Sequence, residues 1–454
     1  MDYQALASDY VLHALRREKS VIFERAQGSR LWDINGKVYL DTMSGSAGPA
    51  MVGHANPVVA DAVARQMAKL PSVNLLHDST TLIEFCTRMA SLAPAGLTKT
   101  FLCVGGGEAV EAAIKFAIRI TGRAEVLSLT GAYHGQSLAT MGLGGMPALR
   151  KWLPGSVRWP NFRQIPSADA YRPPLGGDPE NGSAALHALE ADLDGAGSGH
   201  VAALIIELVQ GPNGHSVYTS DYYRGVQRIC RERGVLLIVD EIQTGLCRCG
   251  TTWACDLYDV RPDILVIGKA LGGGVPIGAF ITHKDLIPKG LESEAWHMLT
   301  FMNQPLSAAA GLAVLDIMEK EKLAERARIL GQQATERFRQ LAKRYDVIGD
   351  VRGPGLFVGV DYVENREQKT PATSACRKAW GFALDHGLIS QFGGFASNVL
   401  KFKPPLTTPQ ADLDEMLDIC EETTAFIQRE VDQARKVHPA VVPANVGDQT
   451  IVHL

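Results

Sequence analysis

The stretch that decides the fold is Asp263-Ile-Leu-Val-Ile-Gly-Lys-Ala-Leu-Gly-Gly-Gly274, in which Lys269 follows an unbroken apolar run and precedes three glycines. A second apolar run, within residues 234–245, ends in the carboxylates Asp240 and Glu241. Such runs are typical of strands in a parallel sheet that is covered on both faces. Ligands of open α/β sheets bind at the carboxyl ends of the strands, so we expect Lys269 and Asp240 to meet at a ligand site.

The position of Lys269 favours a lysine that condenses with a carbonyl group. A lysine withdrawn from water has a lowered pKa, and its neutral amine can attack an aldehyde. The alternative is a strand-end lysine that points into solvent, because most lysines are hydrated. Asp240 is expected to pair with a protonated pyridine nitrogen, which keeps such a ring electron-withdrawing. Its alternative is an acid that caps a nearby helix or turn.

A glycine turn at Gly105-Gly106-Gly107 lies between a predicted strand and a predicted helix within residues 100–119. The helix carries small and apolar residues on one face: Ala109, Ala112, Ala113 and Phe116. Backbone N–H groups at a helix N-terminus favour a phosphate, and glycine permits its close approach. The dinucleotide pattern Gly-x-Gly-x-x-Gly fails here at Val110. A nicotinamide enzyme with Glu125 as its ribose-binding acid is the formal alternative, but it leaves Lys269 without a role.

These elements resemble the class III aminotransferases, the ornithine- and 4-aminobutyrate-type members of the fold-type I enzymes that use pyridoxal phosphate. The resemblance runs over nearly the whole chain and is most specific between Asp240 and Gly274. Matching segments follow in family order at residues 28–41, 131–135, 207–211, 240–245, 262–274, 303–310, 351–356 and 404–406. The fold that this implies is α/β, with a large domain built on a mostly parallel seven-stranded sheet and a smaller α/β domain.

The resemblance also implies roles for individual residues. Lys269 is expected to form the Schiff base with pyridoxal 5′-phosphate and to shuttle the proton, and Asp240 to hold the pyridine nitrogen. The remaining residues of the expected cofactor site are Gly106 and Gly107 (phosphate), Tyr133 (stacked on the ring), His134 (placed by the same loop), Glu207 (an acid near the ring), Ile242 (the opposite ring face), Gln243 (the 3-hydroxyl side) and Thr300 (the phosphate of the other subunit). A homodimer is therefore part of the expectation. Glu207 has an equal alternative as a strand-end acid in a hydrogen-bond network.

The sequence departs from the family pattern where phosphate and substrate are bound. Gly105 and Gly107 stand where many relatives place Ser or Thr hydroxyls, so phosphate binding rests more on backbone donors. Lys401 occupies the position of the arginine that grips the α-carboxylate, and lysine offers a point charge in place of a bidentate fork. It is either a carboxylate-binding residue or a solvated strand residue. Pro212 replaces the glutamate that neutralises that arginine in the ornithine-type members.

The expected reaction is transamination between a small-molecule amino donor and a keto acceptor through a pyridoxamine phosphate intermediate. The altered carboxylate site suggests a bulky or cyclic carboxylate substrate, used in biosynthesis. A racemase or epimerase and a decarboxylating transaminase are alternatives with the same cofactor. A racemase needs a second acid or base opposite Lys269, for which Tyr133 is the candidate. A non-catalytic regulatory relative is disfavoured because both Lys269 and Asp240 are present.

Composition and charge fit this interpretation. The chain has 454 residues, a net charge of −4 and 46% hydrophobic residues, which suits a large and a small domain. Lysines and arginines are scattered, so we expect no nucleic-acid partner. The sequence has neither a membrane-spanning run nor a signal-peptide pattern, and we expect a cytoplasmic protein. Eight cysteines suit reduced core residues, and the cluster Cys247, Cys249 and Cys255 lacks the fourth ligand of common zinc sites, so no metal is expected.

The expected organisation has three parts. The family resemblance implies that residues 1–56 form an N-terminal segment of the small domain. Residues 57–325 are expected to form the large cofactor-binding domain, and residues 326–454 the C-terminal small domain and a tail. The Pro/Gly-rich stretch 166–199 is expected to be a surface excursion near the cofactor. The tail from Val437 is expected to be an extended arm or disordered.

Overall fold

A computed structural model of the protein describes residues 1–15, 19–154, 157, 159–173, 182–195 and 199–437. The tail beyond residue 437, for which the sequence predicts an extended arm or disorder, lies outside these residues. Across the described ranges, no helix combines the length and the apolar character that a membrane crossing requires.

The strands in chain order are β1 (Phe23–Gln27), β2 (Arg30–Asp33), β3 (Val38–Asp41), β4 (Leu97–Cys103), β5 (Glu125–Leu129), β6 (Phe162–Ile165), β7 (Val201–Ile206), β8 (Val209–Gln210), β9 (Ser216–Val217), β10 (Leu236–Asp240), β11 (Ile264–Gly268), β12 (Gly278–His283), β13 (Ile348–Arg352), β14 (Val358–Asn365), β15 (Thr370–Pro371), β16 (Leu388–Ile389), β17 (Phe392–Gly393) and β18 (Val399–Phe402).

The helices are α1 (Tyr3–Tyr10), α2 (Ser44–Ala47), α3 (Pro57–Lys69), α4 (Thr80–Leu92), α5 (Gly106–Thr121), α6 (Leu138–Leu143), α7 (Ser183–Asp194), α8 (Ser220–Glu232), α9 (Ala254–Tyr258), α10 (Pro305–Lys320), α11 (Leu323–Arg344), α12 (Thr373–Asp385) and α13 (Gln410–Val437). Short 3₁₀ turns occur at Pro147–Leu149, Lys269–Gly272, Lys284–Leu286 and Leu291–Ser293.

A seven-stranded sheet in the order β4-β12-β11-β10-β7-β5-β6 forms the centre of the molecule. Neighbouring strands from β11 to β6 are parallel, and β12 runs antiparallel to both β11 and β4. Every residue of β7 and β11 is buried, because helices cover both faces of the sheet. The predicted α/β class with a mostly parallel seven-stranded sheet is therefore confirmed.

The alternation of β11 divides the core between the two faces of this sheet. Ile264 and Val266 pack into the cluster that includes α5, whereas Leu265 and Ile267 pack into the larger cluster on the other face. The apolar face predicted for α5 is buried as expected at Ala109, Ala112, Ala113 and Phe116. Small residues on this helix let its N-terminus come close to the ends of β10 and β11.

Two further sheets are built from the ends of the chain. One has the order β1-β2-β3-β16, in which β16 from the C-terminal part runs parallel to β3 from the N-terminal part. The other contains β13, β14, β18 and β17, with β15 paired to β14. The pairing of β3 with β16 brings residues before 56 together with residues after 325, although the three boundaries themselves stay a prediction.

The stretch 166–199 contains more regular structure than the sequence predicts. Helix α7 lies within it and buries Ala185, Leu189 and Leu193, which recur at four-residue spacing and cover one edge of the core. The expectation of a purely surface excursion is wrong for this part. The glycines and prolines that dominate the composition flank the helix and obscure its apolar spacing.

Candidate active site

The carboxyl ends of parallel strands meet at one edge of the central sheet and form the wall of a cavity. Asp240 ends β10, Lys269 follows β11, and Glu207 follows β7. The cavity has a volume of about 240 Å³. Its lining consists of Gly106, Gly107, Tyr133, His134, Gly135, Gln136, Glu207, Val209, Asp240, Ile242, Gln243 and Lys269.

Lys269 adopts an uncommon backbone conformation, with φ 44°, where the chain turns sharply out of β11. The turn places its side chain in the cavity and not along the strand direction. Removal from water lowers the pKa of the Lys269 amine, while the charges of Asp240 and Glu207 act in the opposite direction. A lowered pKa favours the neutral amine, which is the nucleophilic form of lysine.

Asp240 is held rigidly and is almost inaccessible, with 4% of its surface exposed. Its Oδ2 accepts a hydrogen bond from His134 Nδ1 at 2.8 Å, and its Oδ1 accepts one from the Ile242 backbone N–H at 3.0 Å. His134 Nε2 is buried and has no hydrogen-bond partner in the described chain. The histidine, which lies in the loop after β5, thus orients the carboxylate, and its role toward a cofactor stays a prediction.

Glu207 lies behind Tyr133 at the same edge and is also 4% exposed. Its Oε2 accepts a hydrogen bond from the Tyr133 backbone N–H at 2.8 Å, which fixes the loop that presents this aromatic ring. Burial raises the pKa of Glu207 to about 7, and the nearby Asp240 charge adds to the shift, whereas His134, the Tyr133 N–H and Lys269 oppose it. Glu207 can therefore hold a proton at neutral pH.

The N-terminus of α5 closes the end of the cavity at Gly106 and Gly107. Gly105 is the N-cap and contributes no side-chain hydrogen bond. A Cβ built on Gly106 would lie 2.9 Å from Ile242 Cδ1, so a larger residue at this position would displace the Ile242 side chain. A Cβ on Gly105 meets nothing within 4 Å, and one on Gly107 meets only Gly135 Cα at 3.8 Å, which leaves this helix end open to a ligand.

Two buried lysines stand beside this cavity. Lys401 in β18 and Lys403 after it are 5% and 2% exposed. Burial lowers the pKa of Lys401 to about 8, with the Lys269 charge contributing. No carboxylate in the described residues forms an ion pair with Lys401, and the alternative of a solvated strand residue is wrong.

Sequence reasoning missed Lys403, whose Nζ donates a hydrogen bond to Gln243 Oε1 at 2.9 Å. The available signal was its spacing from Lys401, because residues two apart on a strand face the same side.

Sequence reasoning also missed Arg248, a buried guanidinium that donates to the carbonyl oxygens of Leu356 and Pro404 and to Ser44 Oγ. Lys401, Lys403 and Arg248 therefore place positive charge beside the cavity, near Gln243.

Nine of the eleven predicted site residues line the cavity, and Thr300 and Lys401 do not. Thr300 is exposed on the surface of the single chain. Across the described ranges, no group of three or more His, Cys, Asp or Glu residues could hold a metal ion. Cys247, Cys249 and Cys255 are buried free thiols, and burial raises the pKa of Cys247 to about 12.

Comparison with known proteins identifies the family. The model for the family described as aminotransferase class-III matches residues 13–424. The chain belongs to the class III aminotransferases. A leucine/methionine racemase of Thermococcus litoralis is 34% identical to this class III aminotransferase over 417 residues, with 90% of this chain and 91% of that protein covered. A 5-aminovalerate aminotransferase, DavT, of Pseudomonas aeruginosa is 34% identical over 414 residues, with 88% and 93% covered.

A solved structure gives the same result for the fold. An amine transaminase from an uncultivated Pseudomonas species, in its PLP-bound form, matches with a TM-score of 0.85 and 28% identity, and covers 92% of this chain and 98% of that chain. The predicted family is confirmed, and so is the prediction that this class III aminotransferase uses pyridoxal 5′-phosphate. The roles of individual residues stay predictions.

The observed site fits this cofactor at each of its functional groups. Lys269 offers an amine of lowered pKa to an aldehyde, and Asp240 offers a fixed carboxylate to a ring nitrogen. The open helix end at Gly106 and Gly107 offers backbone donors to a phosphate. Tyr133 would supply one flat apolar surface for the ring.

Proposed function

We propose that this class III aminotransferase moves an amino group from an amino acid or amine to a keto or carbonyl acceptor, with Lys269 as the residue that binds the cofactor and transfers the proton. The observation that carries the proposal is the convergence of Lys269, Asp240 and Glu207 on one cavity that ends at the open N-terminus of α5. A regulatory relative without catalysis would have no need for this arrangement.

Each residue of the cavity has a definite task in this proposal. When bound, pyridoxal phosphate supplies an aldehyde that condenses with amines and a ring that withdraws electrons from the reacting carbon. Asp240 keeps the ring nitrogen protonated, and His134 prevents the carboxylate from rotating away. Tyr133 and Ile242 confine the ring to a plane, and Lys269 Nζ takes up and returns the proton at the substrate carbon.

The proposed substrate carries a carboxylate, which Lys401 binds. A buried ammonium without an acidic partner favours an anionic ligand, because an unpaired buried charge is costly. Pro212 provides no carboxylate to neutralise this lysine, so the exchange of substrates would work differently from that of the ornithine-type members. These two departures support a bulky or cyclic amino or keto acid, in a biosynthetic reaction, over a linear ω-amino acid.

Substitution of Lys401 tests the substrate class. Lys401→Met should raise KM for carboxylate-bearing donors about 10- to 100-fold, the expected loss of one charged hydrogen bond, and leave simple amines unaffected. Lys401→Arg is the matched control, because it keeps the charge. Binding should weaken as pH rises through about 8 in the wild type but not in the arginine variant. Equal losses for amines and amino acids would contradict a carboxylate contact.

Racemisation is the second candidate function, and it is supported by the 34% identity to a leucine/methionine racemase. It requires a proton donor on the face opposite Lys269, and Tyr133 is the residue that lines the cavity there in our proposal. Burial raises the pKa of Tyr133, which keeps its hydroxyl protonated at neutral pH.

An isotope experiment separates the two reactions. The enzyme loaded with cofactor is incubated with an α-deuterated amino acid and no acceptor. Transamination should release one keto acid per active site and then stop, and an added keto acid should restart it. Continuous loss of deuterium from recovered amino acid of both configurations, without keto acid release, would establish racemisation. Release of carbon dioxide would instead identify a decarboxylating transaminase.

We also propose a homodimer in which Thr300 reaches the cofactor phosphate of the partner. Thr300 is exposed and does not line the cavity of its own chain. Its neighbours Met298 and Phe301 are 61% and 58% exposed, which is unusual for side chains of this size and supports burial against a second copy.

A further inference from the structure

Lys403 stands out because it is a buried lysine whose Nζ is held by a neutral amide. Its Nζ donates to Gln243 Oε1 at 2.9 Å and lies 5.2 Å from the centre of the Phe357 ring. Its backbone N–H donates to Thr42 O, which anchors the residue after β18. No carboxylate of the described chain forms an ion pair with it. Burial of an amine in the protein interior costs free energy, and Lys403 has only Gln243 as a side-chain hydrogen-bond acceptor among the described residues, so its position calls for an explanation.

The contact decides which way the Gln243 amide faces. A lysine ammonium can only donate hydrogen bonds, so the atom of Gln243 that meets it is the carbonyl oxygen Oε1. The Nε2 group is then the part of the amide left as a donor to the cavity that Gln243 lines. Without the cation, the two ends of the amide are nearly equivalent in shape and either could face the cavity.

Gly211 supports the amide from the other side. A Cβ built on Gly211 would lie 2.5 Å from Gln243 Oε1 and 2.7 Å from Nε2. These distances are well inside normal contact, so the amide packs directly against the Gly211 backbone. Gln243 is thus held between a backbone surface and a cation, and its donor end has a defined direction.

We propose that Lys403 is a positioning residue that orients Gln243 so that its Nε2 group donates to the 3-oxygen of the cofactor ring. The inference rests on the proposed role of Gln243 in the proposed function. With the cofactor bound at Lys269, a donor at that oxygen would weaken the attraction of the oxygen for a proton shared with the Lys269 nitrogen. By this effect Lys403 would lower the pH at which the bound cofactor loses that proton. The lower pH midpoint would lie closer to neutral pH, where the reaction takes place.

The charge state of Lys403 depends on the groups that face it. Burial lowers its pKa, and the cations Lys401, Lys269 and Arg248 lower it further, whereas Glu207 raises it. Binding of the anionic cofactor adds negative charge to this cluster and favours the ammonium form. The orientation of Gln243 is therefore established in the holoenzyme, which is the form to test.

The test is a double-mutant cycle on the holoenzyme, read from the pH midpoint of the visible absorbance of bound pyridoxal phosphate. Lys403→Met has a similar volume and no charge, and it should raise the midpoint by roughly one to two pH units. In a Gln243→Ala background the same substitution should have less than half of this effect, because the amide is absent. An equal shift in both backgrounds, or no shift in either, would overturn the positioning role.

Gly211→Ala perturbs the same amide without touching the cation and keeps the proposal testable if Lys403→Met does not fold. Its added methyl group should displace Gln243 and raise the midpoint in the same direction. Lys403→Arg is the matched control and should stay within a few tenths of a unit of the wild type. A wild-type protein without a visible cofactor band would contradict the proposed function itself, whereas a normal band with an unchanged Gly211→Ala midpoint would contradict only the inference.

Discussion

Lys269 and Lys403 show how the same residue type acquires different chemistry from its surroundings. Lys269 faces two carboxylates across a cavity and lies at a strained turn, which suits a nucleophile. Lys403 faces other cations and one amide, which suits a fixed donor. The sequence predicts the first, because a lysine between an apolar run and three glycines is locally anomalous. It does not predict the second, because the partner of Lys403 is 160 residues away.

Glu207 gives the first prediction, which concerns pH and stability. Its pKa is raised from 4.5 to about 7 in the folded protein, so folding binds a proton between these values. Its contribution to stability is complete below about pH 4.5 and is lost as pH rises through about 7. Glu207→Gln, which stays neutral, should therefore gain stability relative to the wild type as pH rises from 5 to 8, by up to about 3 kcal/mol at 1.36 kcal/mol per unit.

Thermal unfolding of the cofactor-free proteins at several pH values measures this difference. Glu241→Gln provides a comparison at a second buried carboxylate, which accepts hydrogen bonds from Thr244 Oγ1 and the Cys255 N–H. Burial raises the pKa of Glu241 as well, so this variant should also gain stability relative to the wild type as pH rises. A difference between Glu207→Gln and the wild type that does not change with pH would show that Glu207 is ionised throughout.

Helix α5 and the strand ends determine where a ligand can bind. The Ala-rich face of α5 and the residues Gly268 and Gly278 bring the helix N-terminus against the sheet edge, since a Cβ on Gly278 would lie 2.3 Å from Gly105 O. A glycine turn followed by an Ala-rich helix face is visible in the sequence. All four residues that the sequence analysis placed on the buried face of α5 are buried in the structure. The sequence analysis did not predict helix α7. Only three of its residues are buried, which gives a weak apolar periodicity, and the helix lies between glycine-rich segments.

The glycine turn of α5 leads to a prediction about cofactor affinity. Gly107 has room for a side chain, because its Cβ would meet only Gly135 Cα at 3.8 Å. Gly107→Ser adds a hydroxyl next to the proposed phosphate and should tighten pyridoxal phosphate binding about fivefold, equivalent to about 1 kcal/mol. Gly107→Ala adds the carbon without the donor and is the control. Equal affinities of both variants would place the phosphate elsewhere.

At the scale of the whole molecule, contacts join the N-terminal part of the chain to the C-terminal part. Strand β3 pairs with β16, and Arg30 donates to Asp412 Oδ1 at 2.8 Å and to Glu415 Oε2 at 2.7 Å. Such nonlocal contacts are not visible in the sequence, and the expectation that both chain ends belong to one small domain came from the family resemblance. Lys403 follows β18 of this part and contacts Gln243, which follows β10 of the central sheet, so this contact depends on the complete fold.

The proposed dimer predicts complementation between two damaged subunits. Thr300→Val should weaken cofactor binding about fivefold, and Lys269→Ala should abolish activity. In mixed dimers, a chain with intact Lys269 receives Thr300 from the Lys269→Ala chain, so tight cofactor binding should return to half of the sites. Refolding the two variants together and titrating activity with cofactor measures this. Absence of any high-affinity fraction would show that Thr300 does not cross to the partner.

The central claim is that Lys269 binds the cofactor and handles the amino group, and the visible absorbance of the purified protein tests it most directly. Pyridoxal phosphate is added to the wild type and to Lys269→Ala, followed by a panel of amino acids and amines. The account predicts a visible band in the wild type that a suitable donor bleaches and a keto acid restores, and no such band in the variant. A wild-type protein that forms no band, or a Lys269→Ala variant that forms the same one, would contradict it.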